Sequence, residues 1–386
     1  MFIQRDLAPQ LLAFSQFFPV VALLGPRQSG KTTLAQALFP AYHYLNLENL
    51  DQRAVALADP RGFLEKLLAH PGVIIDEFQQ APELLSYLQV LVDREQRPGF
   101  FILTGSHNFL MNQAIMQSLA GRVGILTLLP LSNQELLAAN LQADFSETAI
   151  LKGCYPRVFA ENALAPHFIY PSYIQTYLER DVRALINLTD LTVFKKFLGF
   201  CAARVGQLLN VASLAADVGI NVSTAQAWLA LLEASYIIFR LQPYHRNFNK
   251  RLIKSSKLYF YDTGLACTLL MIDTDAQLEQ HYLRGALFEN LIVADIFKQF
   301  YNRAKTPPVY FWRDNHGQEV DCLIEQANQL LPIEIKAGMT FQTSWLTGLQ
   351  NWLNLAAVKQ GLIVYGGRER LELSQVIIQS WRDFKI

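Results

Sequence analysis

The sequence lacks a net charge, and this absence limits what the chain as a whole can attract. Its 386 residues include 33 Lys and Arg and 33 Asp and Glu, and only 17% of the residues are charged. A neutral chain exerts no overall pull on nucleic acid or on an anionic membrane. Any surface that binds such a partner must therefore come from a local cluster of basic residues.

Cysteine pairs, a signal-peptide pattern and long apolar segments are missing as well. The four cysteines are scattered, with no CxxC pair and no histidine at zinc spacing, so we expect buried thiols in a reducing compartment. The first residues do not have the layout of a signal peptide, and the longest apolar runs, such as "FFPVVALLG", are too short to span a bilayer. These absences predict a cytoplasmic protein with no membrane partner.

Apolar residues, in contrast, are abundant and make up 51% of the chain. This composition and length predict two or three domains with sizeable cores. Residues 1–140 alternate apolar strands with helices, a pattern typical of a parallel sheet covered on both faces. Residues 141–250 are mainly helical, and residues 251–386 return to mixed strands and helices. We therefore predict an α/β protein with three units at these boundaries.

A phosphate-binding loop follows the first predicted strand. The segment "GPRQSGKT" at residues 25–32 fits GxxxxGK[ST], with a strand before it and a helix after it. In this pattern backbone N–H groups converge on phosphate oxygens, the lysine reaches the β- and γ-phosphates, and the threonine hydroxyl binds Mg²⁺. The loop predicts ATP and Mg²⁺ as ligands, with Thr32 as a metal ligand. The predicted nucleotide-binding residues are Gly25, Pro26, Arg27, Gln28, Ser29, Gly30, Lys31, Thr32 and Thr33.

Two further predicted strands end in polar residues. The segment "GVIIDEFQ" brings Asp76 and Glu77 to the carboxyl end of a strand, where open α/β sheets bind ligands. We expect Asp76 to hold Mg²⁺ and Glu77 to polarise the attacking water as the catalytic base. The next strand lies in "FFILTGSHN". The polar residues near its end are candidates to sense the γ-phosphate or to orient the water, and they are Thr104, Ser106 and Asn108. Ordinary turn chemistry accounts for these three residues equally well.

Arg122, in "SLAGR", is a candidate arginine finger that acts on the nucleotide of a neighbouring subunit. Such an arginine stabilises the charge of the transition state and is worth about 10³–10⁵ in rate. Arg180 and Arg183, in "YLERDVR", compete for the same role. A surface salt bridge is the structural alternative for Arg122.

The segment "SLAADVGINVSTAQAWLALLEASYII" at residues 213–238 resembles a helix-turn-helix, and the chain after it could form a wing strand. The polar residues at the exposed start of its second helix are the ones expected to contact DNA, although such folds also serve as protein-interaction modules. These residues are Asn221, Ser223, Thr224 and Gln226.

A run of basic residues follows this element, with no acidic residue between Glu233 and Asp262. Aromatic residues are interleaved with it, as expected of a surface that follows a phosphate backbone. A solvated basic loop would have the same composition. The run consists of Arg240, Arg246, Lys250, Arg251, Lys254 and Lys257, of which Arg246, Lys250, Arg251 and Lys254 are the predicted DNA contacts.

The stretch "QEVDCLIEQANQLLPIEIKAG" contains a carboxylate–lysine pattern on two predicted strands. If these strands form a hairpin with matching faces, Asp321, Glu334 and Lys336 converge, and Glu289 on the preceding helix could join them. Carboxylates of this kind bind Mg²⁺, and a lysine helps to activate water. The spacing resembles the PD-(D/E)xK nuclease core, although the proline that often precedes the first acid is missing. A polar face packed against a partner is the alternative.

Taken together, the chain resembles a widespread prokaryotic family of AAA-type ATPases with a C-terminal domain of unknown function. The resemblance implies an N-terminal P-loop AAA+ parallel sheet, a helical winged-helix middle and a PD-(D/E)xK-like α/β end. It is carried, along nearly the full length, by "GPRQSGKTTLAQ", "VIIDEFQQAPELLSYLQVLVD", "FILTGSHNFLM", "SLAGRV", "LPLSNQEL", "YIQTYLERDVR", "KLYFYDTGLA", "GALFENLIV" and "EVDCLIE…PIEIKAG".

From these patterns we expect an ATP-hydrolysing, Mg²⁺-dependent homo-oligomer, with a hexameric ring as its expected form, that grips DNA and remodels branched or forked DNA. Two alternatives stay open. The first is a metal-dependent DNA endonuclease gated by ATP, and the second is a nucleotide-switched regulator or scaffold that binds a protein partner.

Overall fold

The computed structural model describes residues 2–106, 115, 118–160, 164–177, 191–244, 254–326 and 329–386. Its N-terminal part contains a sheet of five parallel strands in the order β2-β3-β4-β1-β5. The order places β1 between β4 and β5, so the loop after β1 lies at the middle of the sheet's carboxyl edge. The strands are β1 (Val20–Gly25), β2 (His43–Asn46), β3 (Val73–Asp76), β4 (Phe101–Ser106) and β5 (Val123–Thr127).

Helices cover both faces of this sheet, as the continuous apolar strands predict. Alternate residues of β1 face two separate apolar clusters: Val20 and Leu24 pack in one, and Val21 and Leu23 in the other. The helices are α1 (Ala8–Ser15), α2 (Lys31–Leu38), α3 (Leu50–Ala58), α4 (Pro60–Leu67) and α5 (Leu84–Glu95).

The single helix that the sequence suggests around residues 51–69 is two helices. Pro60 stands at the first position of α4, where its missing N–H costs no hydrogen bond. The Asp59 side chain caps the new helix by accepting from Gly62 N–H at 2.9 Å. The chain therefore ends α3 and begins α4 within one residue.

The middle of the chain is helical, as predicted. Asn210 caps the first helix of the expected helix-turn-helix, and Gly219 ends it with a φ of 86° that favours glycine. Ala225 and Trp228 of the following helix face inward and are buried. The helices are α6 (Asn133–Ala138), α7 (Ser146–Lys152), α8 (Pro166–Tyr177), α9 (Leu191–Ala202), α10 (Val211–Val218) and α11 (Val222–Ala234).

The C-terminal part contains a mixed sheet of eight strands in the order β12-β13-β11-β10-β9-β8-β6-β7. Its strands are β6 (Ile238–Pro243), β7 (Lys257–Phe260), β8 (Val309–Arg313), β9 (Glu319–Gln326), β10 (Gln329–Lys336), β11 (Gly361–Tyr365), β12 (Leu371–Glu372) and β13 (Val376–Ser380). The helices packed with it are α12 (Thr263–Leu269), α13 (Asp275–Gln280), α14 (Arg284–Tyr301) and α15 (Ser344–Ala356). One apolar cluster joins α14, this sheet and the middle helices into a common core.

The strand after the helix-turn-helix joins this large sheet. β6 pairs antiparallel with β7 and parallel with β8, because its apolar residues continue the core of the C-terminal part. The predicted boundary at residue 250 lies between β6 and β7, and the domain limits stay a prediction. Within the described parts of the chain, no helix is both long and apolar enough to cross a bilayer.

Candidate functional site

The loop between β1 and α2 has the geometry of a phosphate-binding loop. A Cβ on Gly25 would lie 2.2 Å from the Leu128 carbonyl oxygen, so only glycine allows this approach of β1 to the segment after β5. Gly30 has a φ of 93° and directly precedes α2. The loop therefore leads directly into the N-terminus of α2, where partial positive charge favours the binding of phosphate.

Lys31 and Thr32 begin α2 and point toward the strand ends. The Lys31 ammonium donates hydrogen bonds to the carbonyl oxygens of Pro26 at 2.7 Å and Gly25 at 3.2 Å, so it is held across the loop. The Thr32 hydroxyl donates to Asp76 Oδ2 at 3.0 Å. The two predicted metal ligands are thus adjacent, and hard oxygen donors of this kind suit Mg²⁺.

Asp76 is buried at the end of β3 and accepts hydrogen bonds from three hydroxyl groups. Besides Thr32, the Tyr44 hydroxyl lies 2.9 Å from Asp76 Oδ2, and the Thr104 hydroxyl contacts Asp76 Oδ1. Thr104 was among the predicted sensors, whereas Tyr44 was not predicted. Its role depends on β2 lying next to β3, and strand order cannot be read from the local pattern.

Glu77 lies in the same cleft in a strained conformation. Its φ of 52° is in the left-handed region, which a non-glycine residue adopts at a cost of about 1–3 kcal/mol, often at functional sites. Burial raises the pKa of the Glu77 carboxyl, and the positive charges of Arg27 and Lys31 oppose that rise. The Gln79 side-chain amide donates to the carboxylate and orients it.

Lys31, Thr32 and Glu77 line one open cleft with a volume of about 530 Å³. Pro156 and Thr176, from the middle of the chain, form its other wall, so two parts of the chain meet here. The cleft's lining includes Arg27, Gln28, Gly30, Lys31, Thr32, Thr33 and Glu77. Most of the predicted nucleotide-binding residues therefore face a common space.

A second pocket of about 220 Å³ adjoins the loop. Gly30 and Thr33 belong to both spaces, so the two are neighbours on either side of the start of α2. The walls of the second pocket are mainly apolar and include Phe2, Ile3, Leu34 and Phe159, with the two arginines Arg5 and Arg157 also at its lining.

Arg122 lies far from the cleft of its own chain. Val20 pairs with Val123, so Arg122 stands at the amino edge of the sheet, and the length of β1 separates it from the loop. Its guanidinium forms a two-pronged salt bridge with Asp93, with Nη2 at 2.7 Å from Oδ2. Arg122 therefore takes no part in the cleft of its own chain, and its role as an arginine finger stays a prediction.

Other predicted residues of this site fall at the limits of the described chain. Ser106 ends β4 at the same edge as the loop, pairing with Gly25, but its side chain lies outside the described residues. Asn108, Arg180 and Arg183 lie outside them entirely.

The predicted DNA contacts are only partly described. Asn221, Ser223 and Gln226 are exposed at the start of α11, and Thr224 is half-buried. Lys254 is exposed as well. The predicted contacts Arg246, Lys250 and Arg251 lie outside the described residues.

Two members of the basic run are held by acidic partners. Arg240 donates two hydrogen bonds of 2.7 Å to Glu233, the acid at the start of the run. Lys257 is buried on β7 and pairs with Glu289 and Glu319. Neither side chain therefore contributes to a free basic surface. The run contains no acidic residue along the sequence, but the fold brings acidic partners to these two side chains from outside it.

The carboxylate–lysine pattern converges as the hairpin prediction requires. β9 and β10 pair antiparallel, with Cys322 opposite Ile333, so Asp321 and Glu334 are brought together. Lys336 Nζ lies 2.7 Å from Glu334 Oε2 and 3.5 Å from Asp321 Oδ2. The second Asp321 contact, at 2.8 Å, is the backbone N–H of Ile335.

Glu289 lies near this cluster, where the charge of Asp321 acts on it, and it pairs with Lys257, a residue that the motif does not include. Lys257 Nζ lies 2.9 Å from Glu289 Oε1, and the Tyr259 hydroxyl donates to the same oxygen. Burial raises the pKa of Glu289 to about 7, although Lys257 opposes the rise. Burial, reinforced by the charge of Asp321, raises the pKa of Glu334 to about 8.

This cluster does not fit a metal ion as well as the pattern suggests. In the part of the chain that the structure describes, no three His, Cys, Asp or Glu side chains are arranged to hold a metal. Two lysine ammonium groups lie among the carboxylates and supply the positive charge that a cation would bring. The motif spacing could not reveal Lys257, because it comes from a distant strand.

Comparisons with known protein families match three separate segments of the chain. Residues 18–137 match the family described as AAA domain. Residues 142–276 and 284–384 match two families described as domains of unknown function, DUF8612 and DUF4143. The PD-(D/E)xK assignment of the C-terminal part stays a prediction.

Two curated relatives match almost the whole chain. They are Uncharacterized protein Rv2008c of Mycobacterium tuberculosis and Uncharacterized protein Mb2031c of Mycobacterium bovis, each 30% identical over 97% of this chain and 82% of the relative.

Solved structures also match part of the chain. The Walker-type ATPase PABY2304 of Pyrococcus abyssi covers 69% of this chain and 96% of its own, at 15% identity and a TM-score of 0.43. RuvB T158V of Thermotoga maritima covers 61% and 87%, at 18% identity and a TM-score of 0.29. At such scores the superpositions are partial, and the assignment depends on the sequence families and the loop geometry. The chain belongs to the same family as the two mycobacterial proteins, and its N-terminal part is an AAA-type ATPase domain.

Proposed function

We propose that this protein hydrolyses ATP with Mg²⁺ in the cleft between β1, β3 and the middle of the chain. The observation that carries the proposal is that Lys31, Thr32, Asp76 and Glu77 meet at one edge of the sheet. Phosphoryl transfer requires a lysine, a metal held by hydroxyl and carboxylate, and a base near the attacking water. Four side chains from two neighbouring elements supply these groups.

ATP is favoured because of the apolar pocket beside the loop. A planar base needs an apolar slot close to the phosphates, and the pocket of Phe2, Ile3 and Leu34 begins on the far side of Gly30 and Thr33. Its largely apolar walls suit adenine, which carries fewer polar edge groups than guanine. We propose that the triphosphate lies along Gly25–Thr33 and the base enters this pocket.

The residues that would hold the metal are Thr32 and Asp76. When bound, Mg²⁺ neutralises charge on the phosphate oxygens. The Tyr44 and Thr104 hydroxyls keep the Asp76 carboxylate fixed at the end of β3. Glu77 accepts a proton from water, and its raised pKa brings it closer to neutral pH, where a base is most effective.

We further propose that hydrolysis drives an oligomer that binds and remodels DNA. In this oligomer Arg122, which lies at the edge opposite its own loop, would act on the cleft of a neighbouring subunit after leaving its salt bridge with Asp93. The exposed polar start of α11 supports DNA contact, because this position of a helix-turn-helix faces the groove. Lys254, three residues before β7, is exposed and supplies a basic group beside this element.

The endonuclease alternative has less support. Asp321, Glu334 and Lys336 converge, which favours it, but Lys257 and Lys336 already neutralise the carboxylates. The regulator alternative predicts slow hydrolysis that no DNA stimulates.

The test is the steady-state ATPase rate of the full chain with single-stranded, duplex and four-way DNA. Stimulation of several-fold by one form supports the DNA motor. A flat response across all three forms rejects the motor and favours the regulator, while absence of any hydrolysis rejects the enzyme. Cleavage of the DNA that Asp321→Ala abolishes while the ATPase persists would favour the endonuclease.

A further inference from the structure

Arg5 lies behind the phosphate-binding loop and is absent from the motifs that the sequence contains. Its side chain is 4% exposed, and its three guanidinium nitrogens contact three different acceptors. Nη1 donates to the Ser29 carbonyl at 2.7 Å, Nη2 donates to the Leu129 carbonyl at 2.7 Å, and Nε donates to Glu135 at 2.9 Å. The side chain therefore ties the loop to the segment that follows β5.

We infer that Arg5, held by Glu135, is a positioning residue that fixes the phosphate-binding loop for the nucleotide. This inference rests on the proposed function for the identity of its ligand. Neither Arg5 nor Glu135 lines the cleft, although Arg5 borders the second pocket. The hydrogen bond from Arg5 to the Ser29 carbonyl acts on the loop through the Ser29–Gly30 peptide, and hydrogen exchange without nucleotide separates this effect from a contact with the base.

The planarity of that peptide explains how the effect is transmitted. In a trans peptide the carbonyl oxygen and the following N–H point in opposite directions, and the chain has no described cis peptide. Because the Ser29 oxygen points at Arg5, the Gly30 N–H points away from it. Arg5 Nη1 also lies close to Gly30, 3.7 Å from the position that a Cβ would take. N–H groups of this loop are the ones that converge on phosphate.

Glu135 is itself rigidly held, which makes it a fixed anchor. It is fully buried, accepts from the backbone N–H of Asp6 and Ser132 at 2.8 Å each, and forms a capping box with Ser132 at the start of α6. The adjacent Asn133 N–H donates to Asp295 on α14 at 2.6 Å. The support of the loop is thus continuous with the C-terminal part of the chain.

Lysine cannot replace Arg5 here. An ammonium group can satisfy the charge of Glu135, but one nitrogen cannot reach three acceptors in a planar fork. Arg5→Lys is therefore the informative variant, because it keeps the buried charge paired while it removes the fork. Arg382→Lys is the matched control, since Arg382 also binds a carbonyl, Ala143 at 2.6 Å, and a carboxylate, Asp144 at 3.3 Å, in the C-terminal part.

Two measurements test the inference. The first is hydrogen exchange of residues 25–33 in protein prepared without nucleotide, where Arg5→Lys should accelerate exchange by about tenfold through loss of the fork. The second is titration with a fluorescent ATP analogue, where Arg5→Lys should raise Kd by about tenfold with a smaller change in kcat. Arg382→Lys should change neither.

The outcomes separate this inference from the proposed function. Unchanged exchange and unchanged Kd in Arg5→Lys, with only a lower melting temperature, would overturn the inference while leaving ATP hydrolysis intact. If the wild-type protein binds no ATP but Arg5→Lys still accelerates exchange of residues 25–33, the positioning of the loop is supported and the proposed function is rejected. If Arg5→Lys does not fold, the double variant Arg5→Met/Glu135→Gln removes both buried charges and replaces it in the two measurements. Faster exchange and a higher Kd support the inference, and unchanged values overturn it.

Discussion

The chain contains two regions where lysine and carboxylate side chains meet, and they differ in what surrounds the acids. At the N-terminal cleft, Asp76 accepts hydrogen bonds from hydroxyl groups, and Lys31 is bound to backbone carbonyls. In the C-terminal cluster, ammonium groups contact the carboxylates directly. A carboxylate bonded to hydroxyls keeps its charge available for a cation, whereas a carboxylate paired with lysine does not.

The same difference in the partners of the acids predicts a catalytic role for the first region and a stabilising role for the second. Mg²⁺ takes oxygen ligands, so it can bind a carboxylate that accepts from hydroxyls without opening an ion pair. Opening a buried ion pair leaves an uncompensated charge and costs about 3–5 kcal/mol. We therefore assign reaction steps to the first region and a structural role to the second, and the following predictions test that contrast.

The largest expected effect is on hydrolysis when Glu77 loses its charge. Glu77→Gln should lower kcat by about 10²–10⁴, because a general base is removed while the loop still binds ATP. Measured kcat and ATP affinity decide this. Glu334→Gln is the matched change in the other region and should leave both values near wild type. Normal turnover in Glu77→Gln would show that another group accepts the proton.

For the buried lysine of the C-terminal cluster we expect a loss of stability and not of ATP turnover. Lys257→Met should lower the free energy of unfolding by about 3–5 kcal/mol, since Glu289 and Glu319 lose a buried partner. Denaturant unfolding measures the loss, and ATP turnover by the folded protein should persist.

The double variant Lys257→Met/Glu289→Gln provides the control for this effect. It removes a charge from each side and should recover part of the lost stability, as coupled residues do. A loss of stability in the double variant equal to the sum of the losses in the two single variants would contradict a direct pairing of these side chains.

A smaller effect is expected from the hydroxyl contacts of Asp76. Tyr44→Phe should lower kcat/KM by about 3- to 10-fold, the worth of one hydrogen bond of about 0.5–1.5 kcal/mol. Tyr310→Phe, on the C-terminal sheet, is the control. A Tyr44→Phe protein with wild-type kinetics across a Mg²⁺ titration would show that Asp76 does not need this support.

The smallest expected effect is a pH dependence of stability. The pKa of Glu289 is raised to about 7 in the folded chain from an ordinary value of 4.5. The folded state therefore retains a proton that the unfolded state releases, so this group's contribution is full below about pH 4.5 and is lost as pH rises to about 7. Glu289→Gln should flatten unfolding free energy across this window. An identical pH profile in both proteins would contradict the raised pKa.

The sequence was informative where chemistry depends on residues close together in the chain. The loop at residues 25–32, the pair Asp76 and Glu77, and the hairpin that joins Asp321 to Glu334 all follow from local patterns. These patterns combine a fixed spacing with strand alternation, both of which are local properties.

What the sequence could not provide depends on which elements become neighbours. Tyr44 reaches Asp76 because β2 lies beside β3, Lys257 reaches Glu289 because β7 packs on α14, and Arg5 reaches Ser29 across the fold. Strand order and helix docking are tertiary properties. The same limit explains why the basic run predicts a surface while Arg240 and Lys257 form ion pairs.

The central claim is that Mg·ATP binds between the loop at 25–32 and the acids at 76–77. Isothermal titration calorimetry of Mg·ATP into the full chain tests it directly. We predict one site per chain with a Kd below about 1 mM, which Lys31→Met abolishes and Lys336→Met leaves unchanged. Absence of binding heat in the wild-type protein, or equal binding by the wild-type and Lys31→Met proteins, would contradict the claim.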